Sequence, residues 1–135
     1  MTQPSDTELL QAARDAAARA YAPYSSFPVG AALISEDGTI YTGCNVENAA
    51  YGETICAERN AVTTMIAAGS LPRLSTVAVV GLKAAPCWPC GACRQVLREF
   101  HCERVIVEDS DGNPVSLTFD ELLPNSFGPD ALEGK

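Results

Sequence analysis

Two short cysteine motifs constrain the fold of this chain more than any other feature. They are Cys56-Ala57-Glu58 and Pro89-Cys90-Gly91-Ala92-Cys93, and each stands where a helix is predicted to begin. Unpaired backbone N–H groups and the helix dipole favour thiolates at such a position, and zinc takes thiolate ligands readily. If Cys56, Cys90 and Cys93 bind one ion, two helix N-termini must meet at one point.

Three interpretations of these cysteines are open. A redox pair would use only Cys90 and Cys93, whereas a closed structural zinc site would add Cys87 as a fourth ligand. A catalytic zinc site would keep three cysteine ligands and leave one position for water. Glu58 lies two residues after Cys56, so it can point into the same cavity without binding the metal. We favour the open site, with one zinc ion per chain, because it gives Glu58 a task.

The alternation of strand and helix patterns indicates an α/β fold. Predicted helices span Asp6–Tyr21, Cys56–Gly69, Gly91–Phe100 and Phe119–Leu123, and predicted strands span Val29–Ser35, Thr39–Gly43, Ser75–Leu82, Arg104–Glu108 and Val115–Leu117. Short turns make the first and the last strand pair antiparallel. We therefore expect a single domain over residues 1–135, with three layers of the α/β/α type and a mixed sheet of about five strands.

Charge and hydropathy argue against several classes of partner. The formal net charge is −8, which argues against nucleic acid because its binding depends on lysine and arginine. No run approaches the roughly 18 apolar residues that a membrane span needs. Residues Met1 to Glu8 lack the basic and apolar regions of a signal peptide, so we expect a cytoplasmic protein. Thiols stay reduced there, and Cys44 and Cys102 are expected to be small buried residues. The lone histidine, His101, is expected to end a helix rather than to bind metal.

The cysteine motifs belong to a longer series. In order along the chain stand Tyr21-Ala22-Pro23-Tyr24-Ser25 with Phe27, Gly43-Cys44-Asn45-Val46-Glu47-Asn48, Cys56-Ala57-Glu58-Arg59, Pro89-Cys90-Gly91-Ala92-Cys93-Arg94-Gln95, and Leu122-Leu123-Pro124 with Phe127. Over nearly the whole chain this series resembles the small homotetrameric cytidine deaminases, within the zinc-dependent cytidine and deoxycytidylate deaminase superfamily. The resemblance implies hydrolysis of cytidine and 2'-deoxycytidine to uridine and 2'-deoxyuridine with release of ammonia, a step of pyrimidine salvage. Trp88 departs from the family, in which a small residue precedes the Pro-Cys pair.

The resemblance also implies roles for single residues. Glu58 would be the catalytic residue, carrying a proton from the attacking water to N3 of cytosine and then helping the amine to leave. Asn45 and Glu47 would hold the ribose 3'-hydroxyl, and Phe27 would stack on the pyrimidine. The Ala57 backbone N–H would bind the base carbonyl. Three further residues complete the implied site: Arg59, as a hydrogen-bond donor to a ligand thiolate, and Tyr51 and Phe127, which would reach the site of a neighbouring subunit in a homotetramer.

Other functions on the same scaffold stay open at this point. A free-base or blasticidin-type deaminase is disfavoured by Asn45 and Glu47, since a free base has no ribose to hold. A polynucleotide deaminase is disfavoured by the acidic charge balance. A zinc-stabilised module without activity is disfavoured by Glu58, which would then have no partner for its chemistry.

Overall fold

The computed structural model describes residues 3–133 of the chain, so the outermost ends of the predicted domain, residues 1–2 and 134–135, lie outside it. The helices are α1 (Asp6–Ala17), α2 (Ala57–Ala67), α3 (Gly91–Glu99) and α4 (Phe119–Leu122), and the strands are β1 (Val29–Ser35), β2 (Ile40–Cys44), β3 (Leu74–Gly81), β4 (Arg104–Glu108) and β5 (Pro114–Thr118). Two short 3₁₀ helices, Tyr51–Glu53 and Pro129–Leu132, lie in segments that the sequence predicts to be irregular.

Across the described residues, the strands form one five-stranded sheet in the order β2-β1-β3-β4-β5. The β3–β4 pair is parallel and the other three pairs are antiparallel. Gly38 and Gly112 turn the chain at the first and last hairpins with φ values of +89° and +83°, a conformation that glycine adopts at low cost. The predicted mixed sheet and its antiparallel end pairs are confirmed.

Strand β1 is buried on both faces of the sheet. Ala31 and Leu33 belong to the core under α2, α3 and α4, whereas Ala32 and Ile34 belong to the core under α1. This two-sided burial follows from the period of two along a strand, and it makes the predicted three-layer α/β/α arrangement.

Helix α1 is shorter than the sequence predicts. The apolar spacing extends to Tyr21, but the helix ends at Ala17, so the predicted C-terminal boundary is wrong. The backbone N–H of Tyr21 donates to the Asn45 carbonyl at 3.0 Å, and the Tyr21 carbonyl accepts from Glu47 at 2.9 Å. Tyr21 thereby forms a bridge to Val46, and this tertiary pairing overrides the helical pattern.

In the range 3–133, no helix combines the length and the apolar character that a bilayer crossing requires.

Helix α2 lies unusually close to the sheet at the end that carries the first cysteine motif. A Cβ atom on Gly43 of β2 would lie 2.4 Å from the Ala61 nitrogen and 2.7 Å from the Ala57 carbonyl oxygen. Only glycine allows this approach, which fixes where α2 begins. The other end of α2 closes through Gly69, at φ +85°, with the Ser70 N–H donating to the Met65 carbonyl, a Schellman-type ending.

Candidate active site

Three thiols meet where two helices begin. Cys56 is the residue that precedes the first turn of α2, and Cys90 holds the same position in α3. Neither side chain makes a capping hydrogen bond, so neither sulfur is tied to the backbone N–H groups of its own helix. Cys93, in the first turn of α3, is buried. The three Sγ atoms all lie within 4.8 Å of one another, and Cys87 is not part of this group. The geometry therefore favours three ligands over the closed four-cysteine site.

The thiol group fits a zinc ion. With Zn–S bonds of about 2.3 Å, tetrahedral geometry places sulfur ligands about 3.8 Å apart, which is compatible with three Sγ atoms that all lie within 4.8 Å of one another. Thiolates are soft donors that select zinc over magnesium or calcium. Three protein ligands also leave a fourth position for a non-protein ligand, which is the composition of a catalytic zinc centre rather than of a structural one.

Hydrogen bonding sets the charge on the thiols. The pKa of Cys56 falls to about 5, because the Cys93 thiol donates to its sulfur and because Arg59 lies beside it. The Arg59 Nη2 donates to the Cys56 Sγ at 3.4 Å and to the Thr54 carbonyl at 3.4 Å. The pKa of Cys93 is raised, since the proton it shares with Cys56 stays on its own sulfur. The Arg59 guanidinium thus lies in hydrogen-bond contact with the Cys56 sulfur.

Glu58 is buried beside the thiols. Its side chain is 5% exposed, and together with Cys56, Cys87 and Cys90 it lines a cavity of about 190 Å³. Burial, which disfavours the charged carboxylate, raises the pKa of Glu58 to about 7. Burying a carboxyl group away from water is costly, so the position of Glu58 beside the thiols is the most informative feature of the site.

A second cavity of about 300 Å³ adjoins the first, and Thr54 forms a wall of both. Glu47 lies in this second cavity. Its carboxylate accepts hydrogen bonds from the backbone N–H groups of Tyr24 and Ser25, at 2.9 and 3.1 Å, and from the Ser25 hydroxyl. These donors, the Ser25 hydroxyl above all, lower the pKa of Glu47. Glu47 is therefore a fixed, charged acceptor in the second of the two cavities, while the thiols line the first; the two cavities together are called the groove below.

Asn45 has a structural task as well as a place in the site. It lines the thiol cavity, but its Oδ1 accepts from the Val29 N–H at 2.9 Å and its Nδ2 donates to the Phe27 carbonyl at 3.0 Å. An Asn carboxamide carries a second N–H and a second lone pair, so one donor and one acceptor site stay available. Asn45 thereby fixes the loop that carries Phe27.

The predicted base-binding residues lie on the same side of the molecule. Ala57 is fully buried, lines the thiol cavity and begins α2, so its N–H is one of the unpaired donors of that helix. The Phe27 ring and the Cys87 thiol both pack against Gly81, where a Cβ atom would lie 3.0 and 3.2 Å from them. Phe27 therefore stands next to the cavity wall that Cys87 forms.

Tyr51 and Phe127 occupy different positions relative to this site. Tyr51 is 74% exposed and lines the cavity of Glu47, with its ring edge on Tyr24 at a centroid distance of 5.9 Å. Phe127 is 59% exposed and lies along α3, where its carbonyl accepts from Gln95 at 2.9 Å. Phe127 is not among the residues that line either cavity of its own chain.

Sequence reasoning assigned no role to two residues of the groove. Ser25 donates hydrogen bonds to the Glu47 carboxylate. Thr54 lines both cavities, and its carbonyl accepts a hydrogen bond from Arg59. Ser25 ends the motif Tyr21-Ala22-Pro23-Tyr24-Ser25, so the sequence contained a signal for it. Thr54 lies in a segment without pattern and could only be found from the structure.

Comparison with known proteins agrees with this geometry. A family model described as the cytidine and deoxycytidylate deaminase zinc-binding region matches residues 3–109. The chain is 44% identical to a cytidine deaminase of Sporosarcina psychrophila over 93% of each chain, and 45% identical to one of Mycobacterium tuberculosis over 89% of this chain and 87% of that one. The crystal structure of a cytidine deaminase from Burkholderia pseudomallei superposes with a TM-score of 0.85 at 44% identity, covering 92% of this chain and all of that one. The class that the fold and site define is that of the zinc-dependent deaminases. The chain belongs to the cytidine and deoxycytidylate deaminase family.

Proposed function

We propose that this protein is a cytidine deaminase, which hydrolyses the exocyclic amine of cytidine and 2'-deoxycytidine to give uridine and 2'-deoxyuridine with release of ammonia. The observation that carries the proposal is the buried carboxyl group of Glu58, which shares one cavity with Cys56 and Cys90. The names of the relatives support it, since several that match over most of their length are cytidine deaminases. Pyrimidine salvage is the role that this reaction would serve.

The reaction needs a nucleophilic water, a proton carrier and a fixed substrate. Cys56, Cys90 and Cys93 would hold the zinc ion, which would lower the pKa of a water to near neutral. Glu58 would be the proton carrier: its carboxylate would take one proton from the attacking water and deliver it to N3 of the cytosine ring as the hydroxide adds to C4. It would then take the second proton from the new C4 hydroxyl and pass it to the amine, which leaves as ammonia while the C4 carbonyl forms. Because Glu58 is nearly excluded from solvent, the proton it holds is not exchanged freely with bulk water.

We orient the substrate along the groove, with its base at the thiols and its ribose at Glu47. The amine of the pyrimidine is placed at the thiols, with the Ala57 N–H donating to the base carbonyl and the Phe27 ring stacked on the base. Glu47 and the remaining donor of Asn45 are placed at the ribose 3'-hydroxyl. The support for this orientation is that Glu47 lines the cavity adjoining that of Glu58, and that the Glu47 carboxylate is held charged by Ser25. Arg59 tunes the metal site through its hydrogen bond to Cys56.

The test is Glu58→Gln, followed by zinc content and by the ultraviolet change that accompanies loss of the amine. The amide matches the carboxyl group in shape but cannot carry a proton, so kcat should fall by at least about a hundredfold while one zinc per chain is kept. Glu53→Gln is the matched control, since Glu53 is exposed and lines neither cavity. Wild-type turnover by Glu58→Gln would contradict the mechanism, and wild-type protein without turnover of cytidine would contradict the function.

A homotetramer with shared active sites is part of the proposal. Five large apolar residues are exposed around the Glu47 cavity and at the isolated β-bridges Tyr21–Val46 and Val46–Ile55. They are Tyr21, Tyr24, Val46, Tyr51 and Ile55. A symmetric assembly would remove this apolar surface from water. In such an assembly we place Tyr51 and Phe127 at the sites of neighbouring subunits. Light scattering at assay concentration checks this, and full activity at the mass of one chain would contradict it.

The remaining parts of the proposal concern organisation and location. We place residues 1–135 in one domain, because one sheet accounts for all the described strands. We place the enzyme in the cytoplasm, where a thiol site stays reduced; the six cysteines are all free in the structure. Fractionation of the native cells, followed by activity on cytidine, checks the location.

A further inference from the structure

Cys90 is the most exposed of the three metal-binding cysteines, and its side chain makes no capping hydrogen bond that would fix it. Its backbone is fixed by Arg94. The Arg94 N–H donates to the Cys90 carbonyl at 2.9 Å, and the Arg94 Nε donates to the carbonyl of Pro89 at 2.8 Å. One residue therefore holds the carbonyl groups on both sides of the Cys90 Cα atom.

The other arm of Arg94 reaches the C-terminal part of the chain. Its Nη1 donates to the Leu122 carbonyl at 2.8 Å, at the end of α4. Phe119 and Leu122 anchor α4 in the core under α2 and α3, with 6% and 5% exposure. The rigid guanidinium fork of arginine suits such a two-carbonyl bridge better than a single ammonium group does. Arg94 thereby ties the Pro89–Cys90 peptide to a buried anchor.

Helix α3 holds the rest of the C-terminal segment by separate contacts. The Arg98 Nε donates to the Ser126 hydroxyl at 2.9 Å, and its Nη2 donates to Asp130 at 2.8 Å. Gly128 lies directly on the Arg98 guanidinium, with only 2.3 Å between an added Cβ atom and Cζ. Arg98 thus attaches the same segment one helical turn later, but its hydrogen bonds go to Ser126 and Asp130 and not to the cysteine loop.

We propose that Arg94 is a positioning residue for the metal site: it fixes Cys90 through the Pro89 carbonyl and makes retention of zinc depend on α4. Loss of the guanidinium leaves the Pro89 and Leu122 carbonyls without these donors, and the Pro89–Cys90 peptide is then free to rotate away from the other two sulfurs. This inference rests on the three-cysteine metal site of the proposed function, and is independent of the substrate.

The experiment measures transfer of zinc from the loaded, folded protein to an excess of a chromogenic chelator. Arg94→Gln should release zinc at least about tenfold faster than wild type, the range seen when groups that orient metal ligands are lost. With Co²⁺ in place of zinc, its visible absorption bands should change position or intensity. Arg98→Gln is the matched control, and should keep the wild-type release rate and cobalt spectrum even where its melting temperature falls. Should Arg94→Gln fail to fold, Arg94→Lys, which keeps the charge but offers one nitrogen, should still release zinc faster than wild type.

Wild-type release rates in Arg94→Gln, or in Arg94→Lys where that variant is needed, would overturn the inference. Equal acceleration in Arg98→Gln would also overturn it, because general loosening of the C-terminal segment would then explain the effect. A wild-type protein that binds zinc tightly but leaves cytidine unchanged would contradict the proposed function only, while the comparison between Arg94 and Arg98 would keep its meaning.

Discussion

Gly43→Ala tests whether the close approach of α2 to the sheet positions the active site. The added methyl carbon would lie 2.4 Å from the Ala61 nitrogen and 2.7 Å from the Ala57 carbonyl oxygen, whereas ordinary contacts begin at 3.4 Å. Both neighbours are helix backbone and cannot rotate away, so the N-terminal half of α2 must retreat by about 1 Å. Cys56 and Glu58 sit on that end of the helix and must move with it.

The displacement sets the expected magnitudes. Overpacking of this kind costs about 1–3 kcal/mol, which lowers the melting temperature of a chain of this size by roughly 4–12 °C. A shift of about 1 Å in the catalytic groups lowers kcat by on the order of a hundredfold. Thermal unfolding at one fixed protein concentration, zinc content and turnover of cytidine are measured together. Gly52→Ala is the control, since a Cβ atom there meets nothing within 4 Å, and its stability should stay within about 0.5 kcal/mol of wild type. A Gly43→Ala protein with wild-type melting and turnover would refute the reasoning.

Three further substitutions probe separate features. Cys87→Ala should keep one zinc per chain by atomic absorption, because Cys87 stands outside the thiol group; loss of zinc would restore the closed site. Glu47→Ala should raise KM for cytidine about tenfold. In steady-state assays it should also lower the ratio of kcat/KM for cytidine to kcat/KM for free cytosine. Efficient turnover of free cytosine by the wild-type protein would contradict the nucleoside assignment. Asp6→Asn should cost well under about 1 kcal/mol at neutral pH, since its ion pair with Arg104 is more than a third exposed. The hydrogen bond from Arg104 lowers the pKa of Asp6, so the difference in free energy of unfolding between wild type and Asp6→Asn is present above about pH 4 and should shrink as the pH falls below that value. Urea unfolding at several pH values measures it, and a difference that does not change with pH would contradict the pairing.

The site could be predicted where its residues lie next to one another in the sequence. Cys90 and Cys93 are about one helical turn apart, so local geometry alone aims both at one side of α3. Cys56 and Glu58 are only two residues apart, and Cys56 precedes the first turn of α2, so the regular helical spacing does not by itself aim them at one side. That the two helix starts converge could be inferred only by assuming a shared ion. The structure brings the three sulfurs within 4.8 Å of one another, and the close approach of α2 at Gly43 together with the packing of α2 and α3 in one core holds the two helix starts in place.

The parts that sequence reasoning missed depend on contacts between distant segments. Helix α1 stops at Ala17 because Tyr21 pairs with Val46, and no residue between them signals that pairing. The same bridge has a functional consequence. It brings the Tyr24–Ser25 turn to Glu47, whose carboxylate accepts both backbone N–H groups, and Asn45 ties the Phe27 carbonyl and the Val29 N–H to the same strand end. The proposed sugar end of the groove is therefore fixed by backbone hydrogen bonds, whereas the proposed catalytic end is fixed by helix packing. Substitutions in the loop should change KM more than kcat, and substitutions under α2 should change kcat more than KM.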